Sequence, residues 1–243
     1  MVPAGIGGRV EGIHPVAAAV AAGRVTRIYC ETGRGDHGNA GDVINSARSR
    51  GVEVIVVESI WDHAETDAPQ GLVAQARPIP FVPLDDLLGD QAAVLVLDHL
   101  EDPRNVGAIA RSALAAGMAG LVVPERRSAP ISAVSFKAAA GAFEHLPVAL
   151  ISSVADCVSR AKRANVWTVG LDASGDQSLF GLDLLTESVA VFVGAEGSGL
   201  GRLVLERLDV VVSIPMAPKS ESLNASVAAA LACFEVRRVR GVN

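Results

Sequence analysis

From residue 93 onward, short apolar segments alternate with longer segments of helical periodicity, and this alternation constrains the fold more than any other feature. Strands that alternate with helices form a parallel sheet covered by helices on both faces, so the predicted fold class is α/β. Ligands of open parallel sheets bind beyond the carboxyl ends of the strands. A site is therefore expected among the loops that follow Leu97, Leu171, Val193 and Ile214.

A proline-rich stretch divides the chain into two predicted domains. Residues 1–76 are predicted to form a small α/β domain, residues 77–92 a linker, and residues 93–243 a larger domain. Helices are predicted over residues 15–22, 40–50, 106–116, 131–140, 154–164 and 225–236. Strands are predicted over residues 25–30, 52–57, 72–76, 93–97, 121–123, 147–151, 166–171, 189–193 and 210–214. The β-branched run 52–57 is expected to be buried.

The composition is that of a globular protein with a sizeable core, since 50% of the residues are hydrophobic and 20% are charged. The net charge of −6 lacks the basic excess typical of nucleic-acid-binding proteins, so such binding would need a local cluster of arginines. Cys30, Cys157 and Cys233 lack metal-ligand spacing and are predicted to be small buried residues, so no metal is expected. No signal peptide or membrane span is recognisable, so a cytoplasmic protein is expected.

The loop after Leu97 contains three carboxylates, Asp98, Glu101 and Asp102. Such a cluster raises the alternative of a metal site. We favour a helix cap, because Asp102 followed by Pro103 is typical of a helix N-terminus.

Two further polar residues, Asn105 and Arg111, lie on the helix that this cap begins. Six residues are nearly two helical turns, so both side chains are expected to approach one face of the helix. Spacing alone equally permits Arg111 to be an ordinary surface arginine.

A glycine-rich loop, residues 194–201, follows the apolar strand 189–193. It fails the dinucleotide-binding fingerprint, because Arg202 stands where the third glycine is required, and it contains no Gly-Lys-Ser/Thr motif. Glycines nevertheless allow the backbone to approach a flat ligand closely. Glu196 lies between these glycines and is either a site residue or an exposed loop carboxylate.

The third segment begins where a predicted strand ends at Ile214. Pro215 and Pro218 stiffen the following turn, and Ser222 and Asn224 precede an alanine-rich helix. Serine and asparagine are favoured helix caps, which explains one of the two but not the stiffened loop before them.

Together these segments resemble the SpoU (TrmH) family of RNA ribose methyltransferases, within the knotted SPOUT superfamily. The resemblance is carried, in the family's order, by Asn-x-Gly-x-x-x-Arg at 105–111, Gly-x-Glu-Gly at 194–197, Ile-Pro-Met at 214–216 and Ser-Leu-Asn-x-Ser-Val-Ala at 222–228. Residues 137–148 are similar to a further family segment, and the resemblance covers about residues 93–237. Residues 9–76 resemble the ribosomal-protein-like RNA-binding domain that precedes the catalytic domain in many members.

The resemblance implies a C-terminal trefoil knot, S-adenosylmethionine as cofactor, and methyl transfer to a ribose 2′-hydroxyl of RNA, with ribosomal RNA as the first expectation. It assigns catalysis to Asn105, Arg111, Glu196, Ser222 and Asn224. It assigns cofactor binding to Leu171, Gly194, Ile214, Met216 and Leu223. The expected phosphate contacts of the N-terminal domain are Arg9, Arg24, Arg27, Arg34 and Arg77.

The resemblance also implies a homodimer formed through the catalytic domain. The last predicted helix, 225–236, is rich in small apolar residues and is a candidate for the dimer contact, with ordinary core packing as an equal alternative.

Three other functions stay open at this point. Transfer RNA is the alternative substrate. A catalytically silent RNA-binding protein of the same fold is supported only by residues 218–221, which depart from the family pattern. It predicts the loss of the polar motif residues, all of which are present. A nicotinamide-dependent enzyme is disfavoured by the failed glycine spacing.

Overall fold

The computed structural model describes residues 5–218 and 222–241. The chain forms two compact units. Unit 1 comprises Met1–Pro80 and Pro130–His145, and unit 2 comprises Phe81–Ala129 and Leu146–Asn243.

The secondary structure follows the predicted alternation, with most element ends within two or three residues of the predicted ones. The strands are β1 Arg9–Glu11, β2 Val25–Glu31, β3 Glu53–Val57, β4 Leu72–Ala76, β5 Ala93–Asp98, β6 Gly120–Pro124, β7 Val148–Ile151, β8 Trp167–Leu171, β9 Gln177–Ser178, β10 Val189–Gly194 and β11 Val210–Ser213. The helices are α1 Ile13–Ala21, α2 Gly38–Ser49, α3 Pro103–Ala116, α4 Ala133–Ala139, α5 Val154–Arg163, α6 Arg202–Leu205 and α7 Ala225–Val239. Sequence patterns missed β1, β9 and α6, which are too short to show a periodicity.

Unit 1 is built on a four-stranded mixed sheet in the order β1-β4-β2-β3. β2 and β3 are parallel, whereas β4 is antiparallel to both β1 and β2. Helices α1 and α2 pack against this sheet, whose buried residues include Val10 and Ile28. The expectation that β3 is buried is wrong, because β3 lies at the sheet edge and Val56 is 58% exposed.

The segment Pro130–His145 packs in unit 1, although it lies between two strands of unit 2. Its helix α4 packs on α1 and β1, and the rings of Phe136 and Phe143 are fully buried. The chain therefore leaves the parallel sheet after β6 and returns to it at β7. This arrangement differs from the expected continuous domain over 93–243, because the aromatic side chains of the segment find their core in unit 1.

The predicted linker 77–92 is ordered and contributes to both units. Ile79 pairs with Ile6 of unit 1, and Val82 pairs with Ala149 of unit 2. Leu84 and Leu87 then enter the core of unit 2.

Unit 2 confirms the predicted parallel sheet. Its seven strands lie in the order β7-β6-β5-β10-β8-β11-β9, and each pair of neighbours is parallel. Val94 and Val96 of β5 belong to the core that also contains residues of α5. Leu95 and Leu97 alternate with them and point to the opposite face. Helix α7 packs along α3 and against β10.

The cysteines are core residues, as predicted. Cys30, Cys157 and Cys233 are buried and unpaired, and burial raises the pKa of the Cys157 and Cys233 thiols to about 12. Within residues 5–218 and 222–241, no helix has the length and apolar character needed to span a bilayer.

Candidate active site

A cavity of about 320 Å³ opens at the carboxyl ends of β8, β10 and β11, next to the N-terminus of α7. This is the edge at which parallel sheets bind ligands. The lining residues are Leu171, Asp172, Ala173, Val193, Gly194, Ala195, Glu196, Gly197, Ser198, Gly199, Ile214, Met216, Ser222, Leu223, Ala225 and Ala228. The walls are thus partly apolar side chains and partly bare backbone.

The glycine-rich loop forms one wall of this cavity by folding back on itself. Ala195 and Gly199 exchange two backbone hydrogen bonds, with N···O distances of 3.1 and 2.9 Å. A Cβ atom on Gly194 would overlap the backbone of Gly199, and Gly199 itself has a φ of +64°. Both positions therefore require glycine.

Two carboxylates at strand ends fix the far side of the same loop. The buried Asp98 accepts a hydrogen bond from the backbone N–H of Gly201 at 2.8 Å and pairs with the ring of His99. Asp172 accepts from Leu200 N at 3.4 Å and from Ser174 N at 3.0 Å.

Burial alone would raise the pKa of Asp172. The hydrogen bonds from Ser174 and Leu200 outweigh it and hold that pKa below its usual value. The role of Asp172 was not predicted from the sequence, although its position directly after β8 is a signal for it.

Of the three carboxylates considered as a possible metal cluster, Asp98 and Asp102 have separate structural tasks. Asp102 caps α3 by accepting from Arg104 N at 2.8 Å, and Pro103 occupies the first turn, as predicted. Among the described residues, no group of three or more His, Cys, Asp or Glu side chains is placed to hold a metal ion.

Glu196 connects two helices at the cavity wall. Its Oε1 atom accepts hydrogen bonds from the amide of Asn105 on α3 and, at 3.1 Å, from the amide of Asn224 before α7. Asn105 is buried, Glu196 is an exposed residue of the cavity wall, and Asn224 is exposed beside that wall. Three polar residues that the sequence scatters over 120 positions therefore share one hydrogen-bond network.

Asn224 is both a helix cap and a member of this network. Its Oδ1 atom caps α7 by accepting from Ser226 N at 2.9 Å and Ser226 Oγ at 2.5 Å. Its Nδ2 atom donates to Glu196. Asparagine suits both tasks because its amide carries an acceptor and a donor side by side.

Arg111 forms no hydrogen bond with Asn105, Glu196 or Asn224. At 3.6 residues per turn, a separation of six residues places it about 120° around α3 from Asn105. Asn105 is buried and Arg111 is exposed and does not line the cavity, so the expectation that they share one helix face is wrong. Among the described residues, no carboxylate pairs with the Arg111 guanidinium.

The five residues predicted to hold the cofactor all line this same cavity: Leu171, Gly194, Ile214, Met216 and Leu223. Ser222 lines it too. Of the sequence departure at 218–221, Pro218 is described, and residues 219–221 lie outside the described residues.

The five arginines predicted to contact RNA lie in unit 1, and the prediction is wrong for one of them, Arg24. Arg24 is 8% exposed and forms a two-pronged ion pair with Glu144, with N···O distances of 2.7 and 2.5 Å. It also donates to the carbonyl groups of Gly7 and Arg77. Since its donors are engaged inside the unit, Arg24 cannot serve as a phosphate contact.

The other four arginines are accessible but already have partners. Arg9 pairs with Glu65 at 3.0 Å, Arg27 with Glu53 at 2.7 Å, and Arg34 with Glu31 at 4.0 Å. Arg77 donates to the carbonyl of Gly23 at 2.6 Å.

Comparison with known proteins assigns the chain to a family. Residues 92–234 match the SpoU rRNA Methylase family, and residues 9–82 match the RNA 2′-O ribose methyltransferase substrate-binding domain. The chain therefore belongs to the SpoU family of RNA methyltransferases, whose methyl donor is S-adenosylmethionine, as the sequence analysis expected.

Two comparisons illustrate the similarity. The chain is 40% identical over 210 residues to YacO of Bacillus subtilis, named as a TrmH family tRNA/rRNA methyltransferase, with 84% of each protein covered. The crystal structure of the SpoU methyltransferase AviRb from Streptomyces viridochromogenes in complex with AdoMet superposes with a TM-score of 0.79 at 27% identity, covering 97% of this chain and 91% of that one.

A third comparison extends this to another bacterium. An AdoMet-bound rRNA methyltransferase from Sinorhizobium meliloti has a TM-score of 0.76 at 26% identity, covering 95% of this chain and 86% of that one.

Proposed function

We propose that this protein methylates a ribose 2′-hydroxyl of RNA, with ribosomal RNA as the first substrate to test. The observation that carries the proposal is the hydrogen-bonded convergence of Asn105, Glu196 and Asn224 beside the cavity in a chain of the SpoU family. The named relatives include proteins described as rRNA and as tRNA/rRNA methyltransferases, and one similar structure is described as an RNA 2′-O ribose methyltransferase.

The residues around the cavity fit S-adenosylmethionine. A volume of about 320 Å³ lies within the range of about 300–1,000 Å³ for small-molecule sites, which combine apolar walls with a few polar groups. Leu171, Ile214 and Leu223 supply apolar wall, and the loop after Gly194 supplies unobstructed backbone. When bound, S-adenosylmethionine supplies a methyl group activated by a positively charged sulfur.

The main task left to the protein is to align the ribose hydroxyl, whose proton is released to water as the methyl group is transferred. Glu196 is held by two amide donors on one carboxylate oxygen, and its Oε2 atom receives no hydrogen bond from the described residues. We assign to this oxygen the orientation of the ribose hydroxyl, with the hydroxyl of Ser222 as a second contact.

Arg111 is assigned the stabilisation of negative charge. A guanidinium stays protonated in proteins and is a poor base. An exposed Arg111 without a carboxylate partner among the described residues is suited to grip an RNA phosphate and to favour the developing alkoxide.

We propose that the protein acts as a homodimer through α7. One face of this helix, with Ala229 and Ala232 buried, packs along α3. Val227 and Phe234 lie seven residues apart on another face, and each is 47% exposed. Sedimentation should show a dimer that Phe234→Asp weakens; a wild-type monomer at micromolar concentration would contradict it.

Unit 1 is proposed to position structured RNA through Arg9, Arg27, Arg34 and Arg77. Since Pro130–His145 packs in unit 1, deleting residues 1–76 would remove the packing partner of that segment. A fourfold alanine variant is therefore the cleaner test. Weaker RNA binding with unchanged cofactor affinity is expected, and unchanged RNA binding would refute this role.

Calorimetry and methyl transfer test the central proposal together. The protein should bind S-adenosylmethionine and not NAD, and it should transfer labelled methyl groups to ribosomal RNA. Arg111→Ala should abolish transfer while cofactor binding persists. Methyl transfer to transfer RNA alone would show that transfer RNA, and not ribosomal RNA, is the substrate. Cofactor binding without transfer to either RNA would favour the silent RNA-binding alternative.

A further inference from the structure

We propose that Arg104, Arg126 and Arg127 form an RNA-contact surface of unit 2 that grips phosphates on one side of the methylated nucleotide. We call this set the edge arginines. The inference rests on the proposed function, because it names the surface by which RNA reaches the same site.

The position of the edge arginines follows from the sheet order. Arg126 and Arg127 follow the carboxyl end of β6, and Arg104 lies in the first turn of α3, which follows β5. β6 neighbours β5, and β5 neighbours β10, whose loop lines the cavity. At a strand spacing of about 4.8 Å, β6 lies about 10 Å from β10 at the same edge of the sheet. That separation is within the reach of one or two nucleotides.

The loop that carries Arg126 and Arg127 has a fixed shape. Ala129 N donates to Leu100 O at 2.6 Å, and Ser128 Oγ donates to the same carbonyl at 3.2 Å. Glu125 N donates to Ile151 O at 2.8 Å. Arg127 has a φ of +56°, which a non-glycine residue keeps only where its surroundings require it. The loop is therefore tied at both ends, including to the loop that leads into α3.

The charge of the edge arginines is not neutralised by ion pairs. All three side chains are exposed, and no carboxylate in the described part of the chain pairs with them. In a protein of net charge −6, three exposed guanidinium groups without ion-pair partners are available to contact a polyanion. A guanidinium fork matches the geometry of a phosphate, and a phosphodiester chain is the substrate that must reach this edge.

The test measures RNA binding by the full chain against salt concentration. The probe is a fluorescent hairpin RNA of about 30 nucleotides, and the variant is Arg126→Ala with Arg127→Ala. The logarithm of affinity falls as the logarithm of salt concentration rises, and each lost phosphate contact makes this slope less steep by about 0.7 to 0.9. The double variant should therefore reduce the steepness by about 1.4 to 1.8. Arg104→Ala added to this pair should reduce the steepness further.

A charge-matched control is Arg163→Ala with Arg207→Ala. Both arginines are exposed, and they precede β8 and β11, at the amino edge of the sheet. This control removes the same charge from the protein and should leave the slope unchanged.

The outcomes separate this inference from the proposed function. An unchanged slope in the Arg126/Arg127 variant would contradict the RNA-contact role of the edge arginines, even if the wild type methylates RNA. An equal change of slope in the control would contradict it as well. Absence of S-adenosylmethionine binding by the wild type would instead overturn the proposed function. The Arg126/Arg127 variant should keep the wild-type affinity for S-adenosylmethionine, and a loss of that affinity would show that the loop is structural and contradict the inference.

Discussion

The arginines of unit 1 and the arginines proposed to contact RNA in unit 2 have different surroundings. In unit 1, Arg24 is buried against Glu144, and Arg9 and Arg27 each have a carboxylate partner. In unit 2, Arg111 and the edge arginines are exposed and lack such partners among the described residues. The number of arginines in a domain therefore does not indicate its capacity to bind RNA. A guanidinium that is already paired with a carboxylate must break that ion pair before it can bind a phosphate.

The largest effect expected from this comparison is on stability. Arg24→Ala leaves the buried Glu144 carboxylate without its partner, and breaking a buried pair in this way costs about 3–5 kcal/mol. Urea denaturation should show this loss, whereas the exposed pair removed by Arg27→Ala should leave the unfolding midpoint almost unchanged. Equal midpoints for the two variants would show that Arg24 is not structural.

The second effect concerns catalysis in unit 2. Asn224→Asp keeps the acceptor that caps α7 but places a carboxylate against Glu196, whereas Asn224→Ser keeps a cap and loses the amide N–H group that donates to Glu196. A hydrogen bond to a charged group contributes about 1.5–3 kcal/mol, so methyl transfer should fall about tenfold to a hundredfold in the serine variant.

Methyl transfer should fall further in the aspartate variant, because two carboxylates then repel each other. Thermal unfolding of both variants should stay near that of the wild type. Full activity of Asn224→Asp would show that its bond to Glu196 has no role in catalysis.

The third effect concerns the glycine-rich loop. Gly194→Ala would place a Cβ atom into the backbone of Gly199, and relieving such overpacking costs about 1–3 kcal/mol. The loop must shift, so calorimetry should show at least a tenfold loss of S-adenosylmethionine affinity. Gly89→Ala is the control, because a Cβ atom there has no neighbour within 4 Å. Wild-type affinity in Gly194→Ala would mean that the loop wall does not hold the cofactor.

The smallest effect is on acid stability. Burial raises the pKa of Asp209, but hydrogen bonds from Lys162 and Thr168 together lower it below its ordinary value of about 3.9. The ionised Asp209 carboxylate therefore contributes its full stabilisation of the folded protein above a pH of about 3.9. This stabilisation is lost as the pH falls through the lower pKa of the folded state. Asp209→Asn should make the free energy of unfolding less dependent on pH below about 4. An unchanged dependence in denaturant titrations would contradict this.

Prediction from the sequence succeeded where patterns are local and failed where long-range packing decides. The strand and helix alternation and the Asp102 cap follow from hydrophobic periodicity and turn chemistry. The motif resemblance named five residues that line one cavity, and their binding of the cofactor stays a prediction. The packing of Pro130–His145 in unit 1 does not follow, because nothing local shows where Phe136 finds its core. The burial of Arg24 depends likewise on Glu144, which lies 120 residues away. The C-terminal knot stays a prediction.

The most direct test of the account is nucleoside analysis of ribosomal RNA methylated in vitro. RNA from cells lacking this protein would be incubated with the protein and S-adenosylmethionine labelled on its methyl group, and then digested to nucleosides. The account predicts label in a 2′-O-methylnucleoside with the wild type and none with Arg111→Ala. Label in a base-methylated nucleoside, or undiminished labelling by Arg111→Ala, would contradict it.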